Sequence, residues 1–224
     1  MESEGFCRDS FWNQSMVWNT TRPQFTHCFE DTVLVGLPSI FLWFLTPFWL
    51  SNIYGRRRRT QYPSPTGKFA TICGKFICLV ILMGSTIFKL IHRSETLEKL
   101  YPSDMVGLSL LFISYAFIAV LIVIERKSCI HTSPLQFYFW LLHFFTFIPQ
   151  FVKDIQELAL ANANFEAVTA ITAITGLPIL LINVVLHCVS DHHQSQNSPK
   201  SPESTSSHFS YLFFSWMDNL IFKG

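Results

Sequence analysis

Hydrophobic and polar positions fall in long alternating blocks along this chain. Apolar residues dominate five stretches of about 18–23 residues, which is the length that a helix needs to cross the hydrocarbon core of a bilayer. These stretches cover residues 32–54, 69–91, 105–124, 135–152 and 167–189. The pattern therefore predicts an all-α, polytopic membrane bundle of five transmembrane helices.

Composition agrees with a membrane protein. Half of the residues (50%) are hydrophobic and only 14% are charged, whereas soluble domains carry about 25% charged residues. The formal net charge is +1, so no overall positive field indicates nucleic acid as a partner. The partner that the composition indicates is the lipid bilayer.

Basic residues predict the orientation of the bundle. Arg56, Arg57, Arg58 and Arg59 directly follow the first apolar stretch. Lysine and arginine near the ends of spans favour the cytosolic side. We therefore expect residues 1–31 to form an extracytosolic N-terminal segment, residues 32–189 a five-helix membrane domain, and residues 190–224 a cytosolic linker.

The predicted extracytosolic segment carries signs of the secretory pathway. Asn13-Gln14-Ser15 and Asn19-Thr20-Thr21 are N-glycosylation sequons, and both precede the first span. Cys7 and Cys28 are the only cysteines in this segment, and its compartment is oxidising. We expect glycans on Asn13 and Asn19 and a disulfide between the two cysteines, with two free thiols as the alternative.

The C-terminal tail changes character twice. Residues 190–207 are polar, serine-rich and contain proline, as is typical of a flexible linker. Apolar residues then recur with the spacing of one helical face. They are Phe209, Leu212, Phe213, Trp216, Met217, Leu220 and Ile221. This helix is too short to span, so we expect it to lie in the membrane interface or to dock onto another helix.

Polar residues inside the apolar stretches are few. Lys75 is the most interior charge, and a lysine that extends its head to the interface is the favoured interpretation over a functional site. Asn183 is expected to hydrogen-bond to a neighbouring helix. Small residues of the fifth stretch give it one face for close helix approach; they are Ala167, Ala170, Ala173 and Gly176.

No motif in the sequence indicates catalysis. The chain contains no phosphate-binding loop, no zinc-protease motif and no nucleophile elbow. We therefore expect no catalytic, cofactor-binding or metal-ligating residues, and a protein that is not an enzyme as it stands.

Several segments, in order along the chain, carry a family pattern. They are Trp18-Asn19-Thr20, Phe25-Thr26-His27-Cys28-Phe29, Ile124-Glu125-Arg126-Lys127, Cys188-Val189-Ser190-Asp191 and the segment from Phe214 to Gly224. Together they resemble the N-terminal accessory membrane domain of the multidrug-resistance-associated proteins, which are subfamily C of the ATP-binding cassette transporters. The resemblance implies five spans, an outside N-terminus with a disulfide-bonded cysteine pair and glycans, and a cytosolic linker leading to an interfacial helix.

The resemblance also implies a role. In that family the full transporter uses ATP and magnesium to export organic anions and conjugates, and the accessory domain serves trafficking, stability and contacts with the transporter core. We therefore expect a fragment or short form, not transport-competent alone, in the plasma membrane or a vacuolar or lysosomal membrane.

Two alternatives stay open. One is a domain of the sulfonylurea-receptor type, which contacts another membrane subunit, a potassium channel. The other is an independent small transporter. The absence of an internal repeat and of buried acidic residues argues against the second alternative.

Overall fold

The computed structural model describes residues 5–7, 10–18, 24–57, 69–96, 101–127, 133–160 and 167–189. Within these residues the regular structure is helical and no strand occurs. The helices are α1 (Gln14–Trp18), α2 (His27–Phe29), α3 (Val35–Arg57), α4 (Phe69–Thr96), α5 (Pro102–Lys127), α6 (Pro134–Leu160) and α7 (Ala167–Val189). The prediction of an all-α protein is confirmed for this part of the chain.

The first long helix begins earlier than predicted. Helix α2 starts at His27 and continues through a π-helical turn, Glu30–Leu34, into α3. Thr26 has an extended backbone, and its side-chain oxygen accepts a hydrogen bond from the backbone N–H of Phe29 at 3.4 Å, as is usual for an N-cap residue. The helix thus begins five residues before the apolar stretch that starts at residue 32, because the capping threonine lies before that stretch.

In the part of the chain that the structure describes, four helical segments are long and apolar enough to cross a membrane. They are His27–Ser51, Ala70–His92, Met105–Arg126 and Pro134–Gln156. Helix α7 has the bounds that the sequence predicted for the fifth span. Its described side chains form a shorter apolar stretch, Ile174–His187, so the crossing by α7 stays a prediction.

Successive long helices alternate in direction. Lys153, near the end of α6, contacts Glu30 at the start of the first long helix. Trp49, near the end of α3, contacts Glu125 near the end of α5. The bundle therefore has two ends, named here the Glu30 end and the Glu125 end, and α7 packs mainly against α6 and α4.

Apolar side chains fill the interior and also cover the outside of the bundle. The buried cluster includes Leu42, Ile118, Leu121, Phe139 and Leu180. The exposed side chains on the helices are also large and apolar, among them Ile40 (64% exposed), Phe44 (69%) and Val80 (64%). An apolar outer surface is what a bundle presents to lipid tails, and the protein is an integral membrane protein.

Candidate functional site

Buried polar side chains lie in three layers along the bundle. The first layer, called the Glu125 layer, comprises Trp49, Lys75, Glu125, Gln136 and His187. Glu125 accepts hydrogen bonds from Trp49 Nε1 at 2.9 Å and from Gln136 Nε2 at 3.0 Å. Gln136 Oε1 lies 3.0 Å from His187 Nε2. Side chains of α3, α5, α6 and α7 are therefore joined in one continuous chain of hydrogen bonds.

The hydrogen-bond geometry of the Glu125 layer limits which of its groups can be protonated. His187 Nδ1 lies 2.7 Å from the carbonyl oxygen of Asn183, while Nε2 faces the amide oxygen of Gln136. Both ring nitrogens then face oxygen atoms, and both can donate a hydrogen bond only if the ring is a positively charged imidazolium. In that arrangement the negative charge of the Glu125 carboxylate balances the charge of the ring. If the oxygen and nitrogen of the Gln136 amide exchange places, the arrangement fits a protonated Glu125 and an uncharged His187 ring. The same heavy-atom positions are therefore compatible with two proton arrangements of the Glu125 layer.

Lys75 belongs to this layer and is buried, with 8% exposure. It lies within electrostatic range of Glu125 and His187. Lys75 is therefore enclosed by the helices at the Glu125 end of the bundle, and the interpretation that it extends its head to the interface stays a prediction. An ammonium group can stay inside the bundle because a carboxylate on the adjacent helix α5 offsets the cost of removing it from water.

The middle layer consists of Tyr115 on α5 and His143 on α6. The tyrosine hydroxyl lies 2.6 Å from His143 Nε2, and both residues are buried. The Tyr115 ring stacks on Trp140 with centroids 5.8 Å apart. Among the described residues His143 Nδ1 has no hydrogen-bond partner.

The third layer, called the Glu30 layer, comprises His27, Glu30, Asp31, Lys153 and Asp154. Lys153 Nζ donates to Glu30 Oε2 at 2.8 Å and lies 3.2 Å from His27 Nδ1. Asp31 and Asp154 are buried beside them, at 8% exposure each. This layer joins the end of α6 to the start of the first long helix.

A cavity of about 60 Å³ lies between the Glu30 layer and the middle layer. Its polar lining includes Glu30, Asp31, Lys89, His143 and Gln150. A polar cavity of this size has room for water, which commonly satisfies buried polar groups. No group of His, Cys, Asp and Glu side chains in the described ranges is arranged to hold a metal ion.

The buried carboxylates correct one sequence argument. Glu30, Asp31, Glu125 and Asp154 are all buried, so the expectation that acidic residues are not buried is wrong.

The distance between the Glu30 layer and the Glu125 layer can be read along the first long helix. Trp49 of the Glu125 layer follows Glu30 by 19 positions, and a helix rises about 1.5 Å per residue. The charged layers are thus roughly 28 Å apart, close to the hydrocarbon thickness of about 30 Å.

Two predictions about α7 have different outcomes. Asn183 donates to the carbonyl of Ile179 in its own helix at 3.2 Å, and the link to a neighbouring helix comes from His187 instead. Gly176 does mark a close helix approach, since a Cβ there would lie 2.9 Å from Cζ of Phe147 on α6. Side chains at Ala167, Ala170 and Ala173 lie outside the description.

The N-terminal segment is tied to the Glu30 end. Cys7 and Cys28 form a disulfide with Cα atoms 5.5 Å apart. Asn13 Oδ1 accepts hydrogen bonds from the backbone N–H of Ser15 at 3.1 Å and from its hydroxyl at 2.6 Å. The amide nitrogen, which is the atom that carries a glycan, is not used in these bonds.

Other predicted residues are only partly covered. Arg56 and Arg57 lie in the last turn of α3, described by their backbone alone. Outside the described residues lie Arg58, Arg59, Asn19 and the predicted interfacial helix with Phe209, Leu212, Phe213, Trp216, Met217, Leu220 and Ile221.

Sequence reasoning missed most of the polar layers. Tyr115, Gln136, His143 and His187 were not singled out, although each lies inside an apolar stretch. An ionisable residue within a span is a candidate for a specific role by default. That signal was available for both histidines.

Comparison with known proteins gives consistent matches. Residues 4–167 match the family described as "ABC transporter TMD0 domain". The chain is 26% identical to human "ATP-binding cassette sub-family C member 2" over 223 residues, which is 99% of this chain and 14% of the relative.

Two rodent relatives extend the comparison. The mouse protein of the same name is 28% identical over 223 residues (98% and 14%). Rat "ATP-binding cassette sub-family C member 3" is 25% identical over 225 residues (96% and 14%). The chain thus spans about a seventh of the length of these relatives, 14% in each comparison.

Proposed function

The chain belongs to the ABC transporter TMD0 domain family, and we propose that it acts as the accessory membrane domain of a sub-family C transporter. In this proposal all five long helices cross the bilayer, α7 included. The chain does not transport alone. It supports trafficking and stability and provides contacts to a transporter core or another membrane subunit.

The proposed orientation places the Glu30 end outside and the Glu125 end in the cytosol. Support comes from helix α3, which runs from the Glu30 layer to Arg56 and Arg57 at its end. Arginines at the end of a span favour the cytosolic side. With five crossings, the tail that carries the proposed interfacial helix is also cytosolic.

The proposed extracytosolic segment is glycosylated and oxidised. Cys7 and Cys28 are close enough to be bonded, and an exported segment meets an oxidising compartment. Alkylation of free thiols followed by peptide mapping should find these two cysteines linked. Two freely alkylated thiols in protein from a mature secretory compartment would rule this out.

One observation carries the proposed role: the relative height of α6 in the bundle is fixed at both ends. Lys153 binds Glu30 at one end, and Gln136 binds Glu125 at the other. A slide by one helical turn, about 5.4 Å, would break both contacts at once. The bundle therefore offers a constant outer surface, which is what a docking domain needs.

The transport chemistry belongs, in this proposal, to the whole protein. A full sub-family C transporter of this type would export organic anions and conjugates, driven by ATP and magnesium at domains outside this chain. The membrane would be the plasma membrane or a vacuolar or lysosomal membrane.

The test is co-purification with a separately expressed transporter core of a sub-family C member 2 protein. Changing Trp216→Glu and Leu220→Glu should reduce recovery of the complex at least about tenfold, because burial of one such side chain is worth roughly 1.5–3 kcal/mol. The matched control is Asn219→Glu, which adds charge to the same segment at a position outside its predicted apolar face.

The outcomes separate the parts of the proposal. Equal recovery of the double variant and the control would remove the tail helix from the argument. Failure of the unchanged chain to bind any core would contradict the docking role. ATPase activity of the purified chain alone would overturn the accessory-domain function.

A further inference from the structure

A group of large apolar side chains precedes the first long helix and lies outside the bundle. We name this group the apolar cap. Its members are Phe6 (50% exposed), Phe11 (54%), Trp12 (44%), Met16 (38%) and Trp18 (73%). Large exposed apolar groups outside a membrane span generally mark a surface that contacts another molecule or a membrane.

The apolar cap is built on an aromatic base. Phe29, in the first turn of the long helix, lies 5.8 Å from the Phe11 ring and 5.2 Å from the Trp12 ring, measured between centroids. Phe25 stacks on Phe29 at 5.3 Å. These inner rings hold the backbone of the cap, while the outer members turn exposed faces away from the protein.

Three links fix the height of the cap along the bundle. The Cys7–Cys28 disulfide joins it to α2. The backbone N–H of Ser103, in the first turn of α5, donates to the Phe6 carbonyl at 3.2 Å. The Thr26 hydroxyl donates to the Phe11 carbonyl at 2.6 Å.

These links place the cap where two spans begin. The apolar segments of the two helices concerned start at His27 and Met105. The Glu30 layer, which marks one edge of the hydrocarbon thickness, lies within the same turns. The cap therefore lies at the level where these two apolar segments begin.

We infer that the apolar cap lies in the interfacial region of the bilayer that the bundle crosses, with Trp12 and Trp18 among the lipid headgroups. The inference rests on the proposed crossing of the membrane. Tryptophan is enriched at this depth because its ring is apolar and its N–H is polar. Asn13, Gln14 and Ser15 interrupt the cap and give it the polar side that an interfacial segment needs.

The occupant is lipid because the cap lies at the level where the apolar outer surface of the first long helix begins. Leu37 and Ile40 follow Glu30 on that helix by about 10 and 15 Å and are 46% and 64% exposed. Lipid that covers these side chains reaches, at its headgroup boundary, the level of the cap. The N-terminal segment is then an anchored, lipid-contacting element of the domain.

The test uses the full chain in phosphatidylcholine nanodiscs. The difference in tryptophan emission between the unchanged protein and Trp18→Phe isolates the emission of Trp18, and Trp12→Phe does the same for Trp12. Lipids brominated near the carbonyl end of their acyl chains should reduce the Trp18 emission by about half or more, as expected for an interfacial indole. Aqueous iodide should reduce it far less.

Trp43→Phe provides the matched control. Trp43 is 43% exposed on α3, inside the span His27–Ser51, and lipids brominated deeper in the chain should quench it. Quenching of Trp18 and Trp12 by iodide without an effect of brominated lipid would overturn the inference. Quenching by neither agent would also overturn it, since protein would then cover the cap.

The same control separates the two proposals. If brominated lipid quenches Trp43 but not the cap, the bundle lies in the bilayer and the cap inference alone is wrong. If brominated lipid fails to quench Trp43 as well, the proposed membrane crossing by α3 is wrong.

Discussion

Removal of Lys153 should strongly destabilise the domain. Its ammonium group is 2.8 Å from Glu30 Oε2, and the two side chains are only 10% and 11% exposed. The change Lys153→Met keeps an unbranched apolar chain but leaves the Glu30 carboxylate buried without its cation. It also removes the contact with His27 Nδ1 at 3.2 Å.

The magnitude follows from the distance. At an effective dielectric constant of about 20, two unit charges at 2.8 Å attract each other by about 6 kcal/mol. Desolvation of both groups offsets part of this, and breaking one side of a buried pair costs roughly 3–5 kcal/mol. For a domain of this size each kcal/mol lowers Tm by about 2–4 °C, so we expect a fall of about 6–20 °C.

The assay is thermal unfolding of purified protein in one fixed detergent, followed by size-exclusion recovery after heating. Lys153→Met should be much less stable than the unchanged protein. The double variant Glu30→Gln with Lys153→Met should recover most of the loss, because residue 30 then carries no charge that needs a partner. Arg126→Met, which removes a charge at an exposed position, is the control and should leave Tm nearly unchanged.

Two results would refute this reasoning. A Tm for Lys153→Met within measurement error of the unchanged protein would mean that the pair is not buried. A double variant at least as unstable as the single change would mean that lost packing, and not unpaired charge, accounts for the effect.

Three further changes test the rest of the structure. Gly107→Ala should cost about 1–3 kcal/mol, because its Cβ would collide with a backbone carbonyl of the π-helical turn, whereas Gly84→Ala meets nothing within 4 Å and should be tolerated; thermal unfolding compares the two. Gln136→Leu should cost about 2–6 kcal/mol by leaving two buried partners unsatisfied, and unchanged stability would contradict the Glu125 layer. Replacing Asn13 and Asn19 by Gln together should abolish the mobility shift on glycosidase treatment, and an unglycosylated starting protein would contradict the outside N-terminus.

Apolar patterning was sufficient to predict the long helices. It gave the bounds of α7 and the start of α4 as the structure has them. The pattern could not find the start of the first long helix, because residues 27–31 include two acids. Those acids, Glu30 and Asp31, are buried, and Lys153 on α6 pairs with Glu30. The helix and the buried interior therefore both begin before the apolar stretch of the sequence.

The burial of the charged side chains was harder to predict, because a hydropathy scale scores each residue without regard to the residues that it contacts in the fold. Lys75 lies near the start of one span and Glu125 at the end of the next, so each looks like a boundary residue when considered alone. Successive spans run in opposite directions, which brings these two ends to the same side of the membrane. The same rule brings together the start of the first span and the end of the fourth, where Glu30 and Lys153 meet. Opposite charges at span ends on one side, combined with alternating topology, therefore predict buried pairs that no single stretch of the sequence reveals.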